Sequence, residues 1–300
     1  MTNKRILVWL EWPEECFRVD AKALRSLRAA VGAGGTVRRV TTEAAFLREL
    51  PRATHAIVWE FRKDWFARAR NLQVLATPAA GRELVAWRDA PARVRVHFGT
   101  FHGAIIAESV AAFCLAWARG FFAVKPPIWP RSRFGRVCYE VQGTKAVIAG
   151  YGRIGRAVGA KLATLGVEVQ GFTRANAALL PRAAKDADWL ILALPSDTGT
   201  DNFLDARLIA RLPRRCVVVN VGRGNAVDET ALKRALESGR LAGAYLDVFK
   251  NEPTALNTGD AARHGLWEGC RNLVAMPHSA AFSPRYIERC FRELTDEGLV

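Results

Sequence analysis

The sequence predicts an α/β protein of two domains, each built around a parallel β-sheet. Short apolar runs alternate with amphipathic segments over the first hundred residues, and a second series of the same kind begins near residue 143. A glycine-rich turn follows the first apolar run of that second series. Because such alternation is typical of parallel strands joined by helical crossovers, we predict two Rossmann-like domains.

Length and composition agree with two globular domains. The chain has 300 residues, of which 50% are hydrophobic and 24% are charged, and this is enough for two sizeable cores. No run reaches the roughly 20 apolar residues that a membrane span needs. Acidic residues follow the first apolar run, so we expect a strand there and not a secretory segment. We therefore predict a cytoplasmic protein without membrane association.

Cysteine spacing argues against a metal-binding protein, and the charge distribution argues against a nucleic-acid-binding protein. The six cysteines are scattered without a CxxC pair, so we expect reduced thiols and no metal site. The formal net charge is +15, but the basic residues are dispersed and do not interleave with aromatic residues. We interpret this charge as solvated surface and not as a nucleic-acid interface, although it can attract an anionic substrate and cofactor.

The first domain is predicted to comprise residues 1–99 and 283–300. The final helix, expected at residues 283–300, should pack back on this domain. Residues 97–103 (HFGTFHG) are punctuated by glycine and are interpreted as the crossing between domains. Hydrophobic periodicity predicts helices at residues 21–31 and 42–50 and strands at residues 6–10, 36–40, 55–59 and 72–77.

The second domain is predicted to comprise residues 100–282. It contains a long apolar helix at residues 104–122, whose composition predicts burial between domains or between subunits. Further helices are expected at residues 153–164 and 228–238. Apolar runs predict strands at residues 145–149, 167–172, 189–194, 216–221, 241–246 and 273–276.

Three glycines form a GxGxxG motif between a predicted strand and a predicted helix, a context that indicates a dinucleotide site. Gly150 permits a tight turn, Gly152 lets the backbone approach a pyrophosphate, and Gly155 lets helix and strand pack closely. The following helix begins at Arg153 and Ile154, and its positive end favours the anion. We predict that these five residues bind a dinucleotide cofactor.

The end of the next strand bears on the choice of cofactor. NAD sites usually carry an acidic residue there, about 20 residues beyond the motif. In this chain Thr173 and Arg174 occupy the position. Threonine does not repel a 2′-phosphate, and a guanidinium can pair with one. The cofactor is predicted to be NADP or NAD, with NADP favoured. In the alternative, Arg174 lies along the adenine of NAD.

Three side chains follow predicted strands in the last third of the chain: Arg223 in VNVGRG, Glu252 in DVFKNEP and His278 in MPHSA. Loops at the carboxyl ends of parallel strands gather at one edge of a sheet. A histidine can transfer a proton near neutral pH, a neighbouring carboxylate favours its charged form, and an arginine can bind a carboxylate by two hydrogen bonds. Each residue alone would also fit a structural loop. Together they predict the reduction of a 2-keto acid.

At these motifs the chain resembles the D-isomer-specific 2-hydroxyacid dehydrogenase family, which includes glyoxylate and hydroxypyruvate reductases and phosphoglycerate dehydrogenases. The resemblance covers residues 141–282, with a looser match in the outer domain. It implies a flavodoxin-like outer domain, an active site in the interdomain cleft, and a homodimer formed through the nucleotide-binding domain. The segments that carry it are EVQGTKAVIAGYGRIGRAVG, LALPSDTGT, VVVNVGRGNAVDETALKRALESGRLAGAYLDVFKNEP and AMPHSAAF.

The resemblance also implies roles for individual residues. Arg223 would hold the substrate carboxylate, while Glu252 and His278 would be the catalytic acid and its proton-transferring partner. In the outer domain, TPAAGREL aligns with the carboxylate-binding glycine loop of the family, so the backbone of Ala80 and Gly81 would bind substrate. Cofactor contacts would also come from Pro195, Val221 and Asp247.

Departures from the family pattern leave alternatives open. Arg82 and Glu83 stand where a small or aspartate-bearing sequence is common, so the motifs do not name the substrate side chain. A phosphoglycerate dehydrogenase-like enzyme is one alternative, and a formate dehydrogenase is a weaker one. A nucleotide-sensing regulator of the C-terminal-binding corepressor type is another, since fold alone does not decide function.

Overall fold

The computed structural model describes residues 4–122, 135, 137–250, 252, 266–267 and 269–300. The chain divides into two compact units. The first unit comprises Met1–His102 and Phe282–Val300, and the second comprises Gly103–Ala281. The predicted domain boundaries, after residue 99 and before residue 283, lie close to these divisions.

The first unit contains a five-stranded parallel sheet with the order β2-β1-β3-β4-β5. This is the strand order of flavodoxin-like sheets. Two helices connect its first three strands, α1 (Ala21–Val31) and α2 (Glu43–Glu49). The strands are β1 (Lys4–Trp9), β2 (Gly35–Arg39), β3 (His55–Val58), β4 (Val74–Thr77) and β5 (Arg95–Phe98).

Both helices begin where a side-chain oxygen satisfies a free backbone N–H group. The Asp20 carboxylate accepts a hydrogen bond from Ala23 N–H at 2.6 Å. The Thr42 hydroxyl accepts one from Ala45 N–H at 3.2 Å. Such N-caps stabilise the first turn of a helix. The predicted helix at residues 42–50 therefore begins after its threonine cap.

The chain passes from the first unit to the second after His102, within the predicted crossing at residues 97–103. Its first residues belong to edge strand β5, which pairs with β4, and helix α3 (His102–Ala118) begins within its last residues. The β5 segment RVHF is not an unbroken apolar run, and the glycines that follow it favoured a connection over a strand. Between the two elements, a Cβ atom on Gly99 would lie 2.1 Å from Pro78 O, so this close approach requires glycine.

The second unit contains a six-stranded parallel sheet with the order β11-β10-β9-β8-β6-β7. All six strands coincide with predicted strands. The strands are β6 (Lys145–Ala149), β7 (Glu168–Phe172), β8 (Trp189–Leu192), β9 (Val217–Asn220), β10 (Gly243–Leu246) and β11 (Leu273–Ala275). The helices after α3 are α4 (Arg153–Ala163), α5 (Leu180–Ala183), α6 (Ala206–Ile209) and α7 (Glu229–Glu237).

Apolar layers cover both faces of this second sheet. One layer contains Leu190 and Val218, and the other contains Ile191 and Val219, all fully buried. Burial on both faces explains why the central strands read as unbroken apolar runs. The long helix α3 contributes Val110 to the second layer. This agrees with its apolar composition.

Strand register aligns the carboxyl ends of the second sheet. Pairing places Phe172, Ala149, Leu192, Asn220, Leu246 and Ala275 in one row across the six strands. The loops that follow this row therefore leave the sheet at one edge, where ligands of parallel α/β sheets bind.

The last helix, α8 (Tyr286–Asp296), packs on α1 in the first unit and is shorter than the predicted helix at residues 283–300. It ends before Gly298, whose φ of 66° is left-handed. Its Glu293 accepts hydrogen bonds from Thr100 N–H at 2.9 Å and Thr100 Oγ1 at 2.6 Å and lies 2.8 Å from His97 Nε2.

These contacts bear on the only group of potential metal ligands found among the described residues, His97, Glu293 and Glu297. Because hydrogen bonds already engage the Glu293 carboxylate, we interpret the group as a structural contact between β5 and α8.

Within the part of the chain that the structure describes, no helix is long and apolar enough to span a bilayer.

Candidate active site

The glycine motif forms a tight turn between β6 and α4. Gly150 has a φ of 89°, and a Cβ atom there would lie 2.5 Å from Ala193 O. A Cβ atom on Gly155 would lie 2.3 Å from Gly150 O, whereas one on Gly152 would meet no atom within 4 Å. Two of the glycines are therefore required by packing. Gly152 instead leaves open space at the amino terminus of α4, where Arg153 begins the helix.

The β7 strand ends at the predicted ribose position. Thr173 is exposed, and its N–H donates to Asn176 Oδ1 at 2.7 Å. The Arg174 side chain is 92% exposed and lies 3.4 Å from Asp197 Oδ2. No acidic side chain stands directly at the end of β7, and an exposed guanidinium lies beside that position.

The loops after β8 and β9 supply the next two predicted cofactor residues. Pro195 is exposed, and its carbonyl accepts a hydrogen bond from the Thr200 hydroxyl at 2.8 Å. Val221 is buried, and its N–H donates to Leu192 O at 3.0 Å. Both residues follow the aligned row of strand ends.

The structure brings His278 and Glu252 together. The Nδ1 atom of His278 lies 2.7 Å from Oε2 of Glu252. The hydrogen bond to Glu252 raises the pKa of His278, although burial opposes this shift. The nearby charge of Arg223 also lowers the pKa of His278, whereas that of Asp247 raises it. The imidazolium form is therefore favoured on balance.

Asp247 builds the turn on which His278 stands. Its carboxylate is 3% exposed and accepts hydrogen bonds from Ser279 N–H at 2.8 Å and Ala280 N–H at 3.0 Å. The His278 N–H donates to Asp247 O at 2.8 Å, and the φ of His278 is 53°. Burial raises the pKa of Asp247, and the two backbone hydrogen bonds oppose the shift. Asp247 thus holds His278 in a left-handed conformation that is uncommon for non-glycine residues.

Arg223 stands three residues after the end of β9. Its Nη1 donates to Gly222 O at 2.8 Å. The fully buried Asn220 side chain braces this loop, because it donates to Arg223 O at 3.0 Å and accepts from Gly222 N–H at 3.1 Å. Arg223 is close enough to His278 for its charge to affect the pKa of the imidazole.

The first unit contains the remaining predicted substrate residues. Ala80 is exposed and Gly81 is half-buried in the loop after β4. The guanidinium carbon of the neighbouring Arg82 lies 5.0 Å from the ring centre of Trp87 and 5.2 Å from that of Phe98. Two aromatic faces therefore hold Arg82 beside this loop.

Residues 112–280 match the family model of the NAD binding domain of D-isomer specific 2-hydroxyacid dehydrogenases. The chain belongs to this family. Among curated relatives, the chain is 30% identical to the (S)-sulfolactate dehydrogenase of Chromohalobacter salexigens over 61% of the chain and 62% of that protein. It is 29% identical to glyoxylate/hydroxypyruvate reductase B of Pectobacterium carotovorum over 89% of the chain and 81% of that protein. The chain thus spans less than two thirds of the sulfolactate dehydrogenase.

A solved member of this dehydrogenase family shares the fold. The D-isomer specific 2-hydroxyacid dehydrogenase from Lactobacillus delbrueckii ssp. bulgaricus, in its NAD-complexed form, superposes with a TM-score of 0.79. The match covers 99% of this chain and 96% of that one at 18% identity. This similarity confirms the predicted class of two parallel-sheet α/β domains.

Sequence reasoning missed two residues that shape the dehydrogenase site. A Cβ atom on Gly224 would lie 1.9 Å from the carbonyl carbon of Phe249, so glycine lets the Arg223 loop contact the loop after β10. Glu229 is buried and accepts a hydrogen bond from Lys250 N–H at 2.7 Å. Both occur in VNVGRGNAVDET, one of the segments that carry the family resemblance. Only their tertiary contacts distinguish them from ordinary turn and helix residues.

Proposed function

We propose that the protein is an NAD(P)-dependent D-2-hydroxyacid dehydrogenase that reduces small 2-keto acids, of the glyoxylate/hydroxypyruvate type. One observation carries this proposal: His278 is hydrogen-bonded to Glu252 at 2.7 Å, and Arg223 is near enough to affect the imidazole. The three residues follow three adjacent strands of one sheet. The 29% identity to a glyoxylate/hydroxypyruvate reductase over 89% of the chain supports the substrate class.

The chain offers a cradle that fits a dinucleotide. The free space at Gly152 lies at the start of α4, where backbone N–H groups favour a pyrophosphate. Thr173 and Arg174 would lie beside the ribose, while Pro195 and Val221 would border the rest of the cofactor. A bound reduced nicotinamide supplies the hydride for the reaction. NADP is favoured because Arg174 can pair with a 2′-phosphate and no acid at residue 173 repels it.

His278 would donate the proton to the substrate carbonyl oxygen. Its Nδ1 atom is engaged by Glu252, so Nε2 is the nitrogen that can exchange a proton with substrate. The negative charge of Glu252 stabilises the imidazolium that must be present before reduction. Asp247 keeps the ring in place through the turn that it organises.

Arg223 would bind the carboxylate of the keto acid. A guanidinium can donate two parallel hydrogen bonds to a carboxylate and so orient the adjacent carbonyl group. In the first unit, the backbone N–H groups of Ala80 and Gly81 remain the predicted substrate-binding donors. The Arg223 charge would also stabilise negative charge that develops on the carbonyl oxygen.

We also propose a homodimer formed through the second unit. Large apolar side chains are exposed on α3 and on the residues that follow it: Leu115 at 39%, Phe121 at 69%, Phe122 at 45% and Tyr139 at 39%. We propose that these side chains form one apolar patch, of the kind that marks interaction surfaces.

A single assay tests the enzymatic proposal. Oxidation of NADH and of NADPH is followed with glyoxylate, hydroxypyruvate, pyruvate, phenylpyruvate and 3-phosphohydroxypyruvate. We expect turnover with the smaller keto acids and a large loss of kcat in His278→Ala. Preference for the phosphorylated acid would instead favour a phosphoglycerate dehydrogenase. Cofactor binding without turnover of any keto acid would favour a nucleotide-sensing regulator.

A further inference from the structure

Glu229 is a buried carboxylate to which the proposed mechanism gives no role. It is the first residue of α7 and is only 7% exposed. Its Oε1 atom accepts a hydrogen bond from the backbone N–H of Lys250 at 2.7 Å. Lys250 belongs to the loop that leaves β10 and carries Glu252. A buried carboxylate is costly unless it is well hydrogen-bonded, so this contact fixes the position of the loop.

Three groups contact the backbone of Phe249 and Lys250. Glu229 accepts from the Lys250 N–H, and Glu252 Oε1 accepts from the Phe249 N–H at 2.7 Å. On another side, Gly224 approaches so closely that an added Cβ atom would lie 1.9 Å from the Phe249 carbonyl carbon. The backbone of these two residues therefore links α7, the Arg223 loop and Glu252.

The same contacts lead to the proton donor. One oxygen of Glu252 binds the Phe249 N–H and the other lies 2.7 Å from His278 Nδ1. A shift of the Phe249 and Lys250 backbone would move Glu252 relative to the imidazole. Because hydrogen bonds weaken steeply with distance and angle, a small shift would reduce the stabilisation of the imidazolium.

We propose that Glu229 is a positioning residue for the Glu252–His278 pair. It acts through the backbone of Lys250 and touches neither substrate nor cofactor. The catalytic consequence rests on the proposed function, but the effect on the His278 imidazole does not. The two can therefore be tested separately.

Variants of α7 separate the hydrogen bond from the charge. Glu229→Ala removes the acceptor, whereas Glu229→Gln keeps an oxygen acceptor and removes the charge. Glu237→Ala is the matched control, because Glu237 ends the same helix, is 48% exposed and pairs only with Lys233 among the described contacts. We expect Glu229→Ala to lower kcat/KM about 10- to 100-fold, Glu229→Gln to restore most of the loss, and the control to match the wild type.

The decisive readout is the NMR titration of His278, which needs no substrate. The chain has five histidines, so the signal lost in His278→Asn assigns the resonance. We expect the pKa of His278 to fall in Glu229→Ala and to stay near the wild-type value in Glu229→Gln. An unchanged titration in folded Glu229→Ala, or equal shifts in both variants, would overturn the proposal.

Two further outcomes keep the test unambiguous. If the alanine variant does not fold, Glu229→Asp withdraws the carboxylate by one methylene and should shift the titration in the same direction. A normal titration there would also contradict positioning. If the wild type turns over no keto acid, the dehydrogenase proposal fails, while the titration still decides the role of Glu229.

Discussion

His278 combines a left-handed backbone with a charge-stabilising partner, Glu252. Its φ of 53° is held by the hydrogen bonds that Asp247 accepts from Ser279 and Ala280. Its pKa is raised by the hydrogen bond to Glu252. At the scale of single residues, one acid of the β10 loop sets the orientation of the imidazole and the other sets its charge.

The first prediction concerns the pH dependence of reduction. His278 must be protonated to donate, so kcat/KM for keto acid reduction should fall as pH rises through its pKa. Glu252 raises that pKa, and Glu252→Gln removes the negative charge. The fall in kcat/KM should therefore move to lower pH in the variant. The measurement is a pH profile from 5 to 10, with Glu237→Gln as the control. Superimposable profiles would contradict the assigned role of Glu252.

The second prediction concerns the cofactor. Arg174→Ala should raise the KM for NADPH about tenfold, consistent with the loss of one charge-assisted hydrogen bond of about 1.5 kcal/mol. The KM for NADH should change little, because it has no 2′-phosphate. Arg182→Ala, in the same connection between β7 and β8, is the control. Equal effects on both cofactors would indicate that Arg174 lies along the adenine.

The β6-turn-α4 element separates two uses of glycine. Gly155 is needed because a Cβ atom there would lie 2.3 Å from Gly150 O, whereas Gly152 has open space around it. In the β9 loop, by comparison, glycine is required by packing, because a Cβ atom on Gly224 would lie 1.9 Å from the Phe249 carbonyl carbon. Packing requirements and ligand access are therefore built into one short sequence motif.

The third prediction follows from this contrast. Gly155→Ala should destabilise the protein by about 1–3 kcal/mol through overpacking and lower the Tm by several degrees. Gly152→Ala should keep the wild-type Tm but weaken cofactor binding at least about tenfold, since its methyl group would enter the pyrophosphate space. Calorimetry gives the Tm and fluorescence titration gives the Kd. Tight cofactor binding by folded Gly152→Ala would refute the assigned cradle.

At the scale of the whole molecule, two compact units are built from one chain that passes between them twice. The first unit is completed by the C-terminal helix α8, whose Glu293 accepts hydrogen bonds from Thr100. The second unit exposes aromatic side chains after α3 that a monomer would leave in water. Helix α3 itself packs into the core along most of its length.

The fourth prediction concerns assembly. If the exposed apolar side chains form a subunit contact, replacing Phe121 by Asp should convert a dimer into a monomer in light-scattering measurements after size exclusion. The desolvation cost of a buried, unpaired carboxylate provides the physical reason. Leu179→Asp is the control, because Leu179 is 62% exposed in a different part of the second unit. A dimer that persists in Phe121→Asp would place the contact elsewhere.

Much of the architecture could be predicted because its signals are local. The central strands of the second sheet are apolar without interruption, Asp20 and Thr42 mark helix starts, and the spacing of Gly150, Gly152 and Gly155 occurs where a strand meets a helix. Strand β5 was missed because Arg95 and His97 interrupt its apolar residues and Gly99 follows it directly. The lengths of α3 and α8 were overestimated because both helices end shortly before a glycine with left-handed backbone, Gly120 (φ 74°) and Gly298 (φ 66°).

The sequence by itself determined the two-domain α/β class, the glycine turn and the identities of Arg223, Glu252 and His278, since each depends on neighbours within a few positions. Only the tertiary structure decided how the last two meet, which carboxylate organises the His278 turn, and why Glu229 and Gly224 matter. Those contacts join residues that are 21 to 33 positions apart. Local sequence patterns do not determine which residues so far apart in the chain come into contact. The register of the six parallel strands determines it.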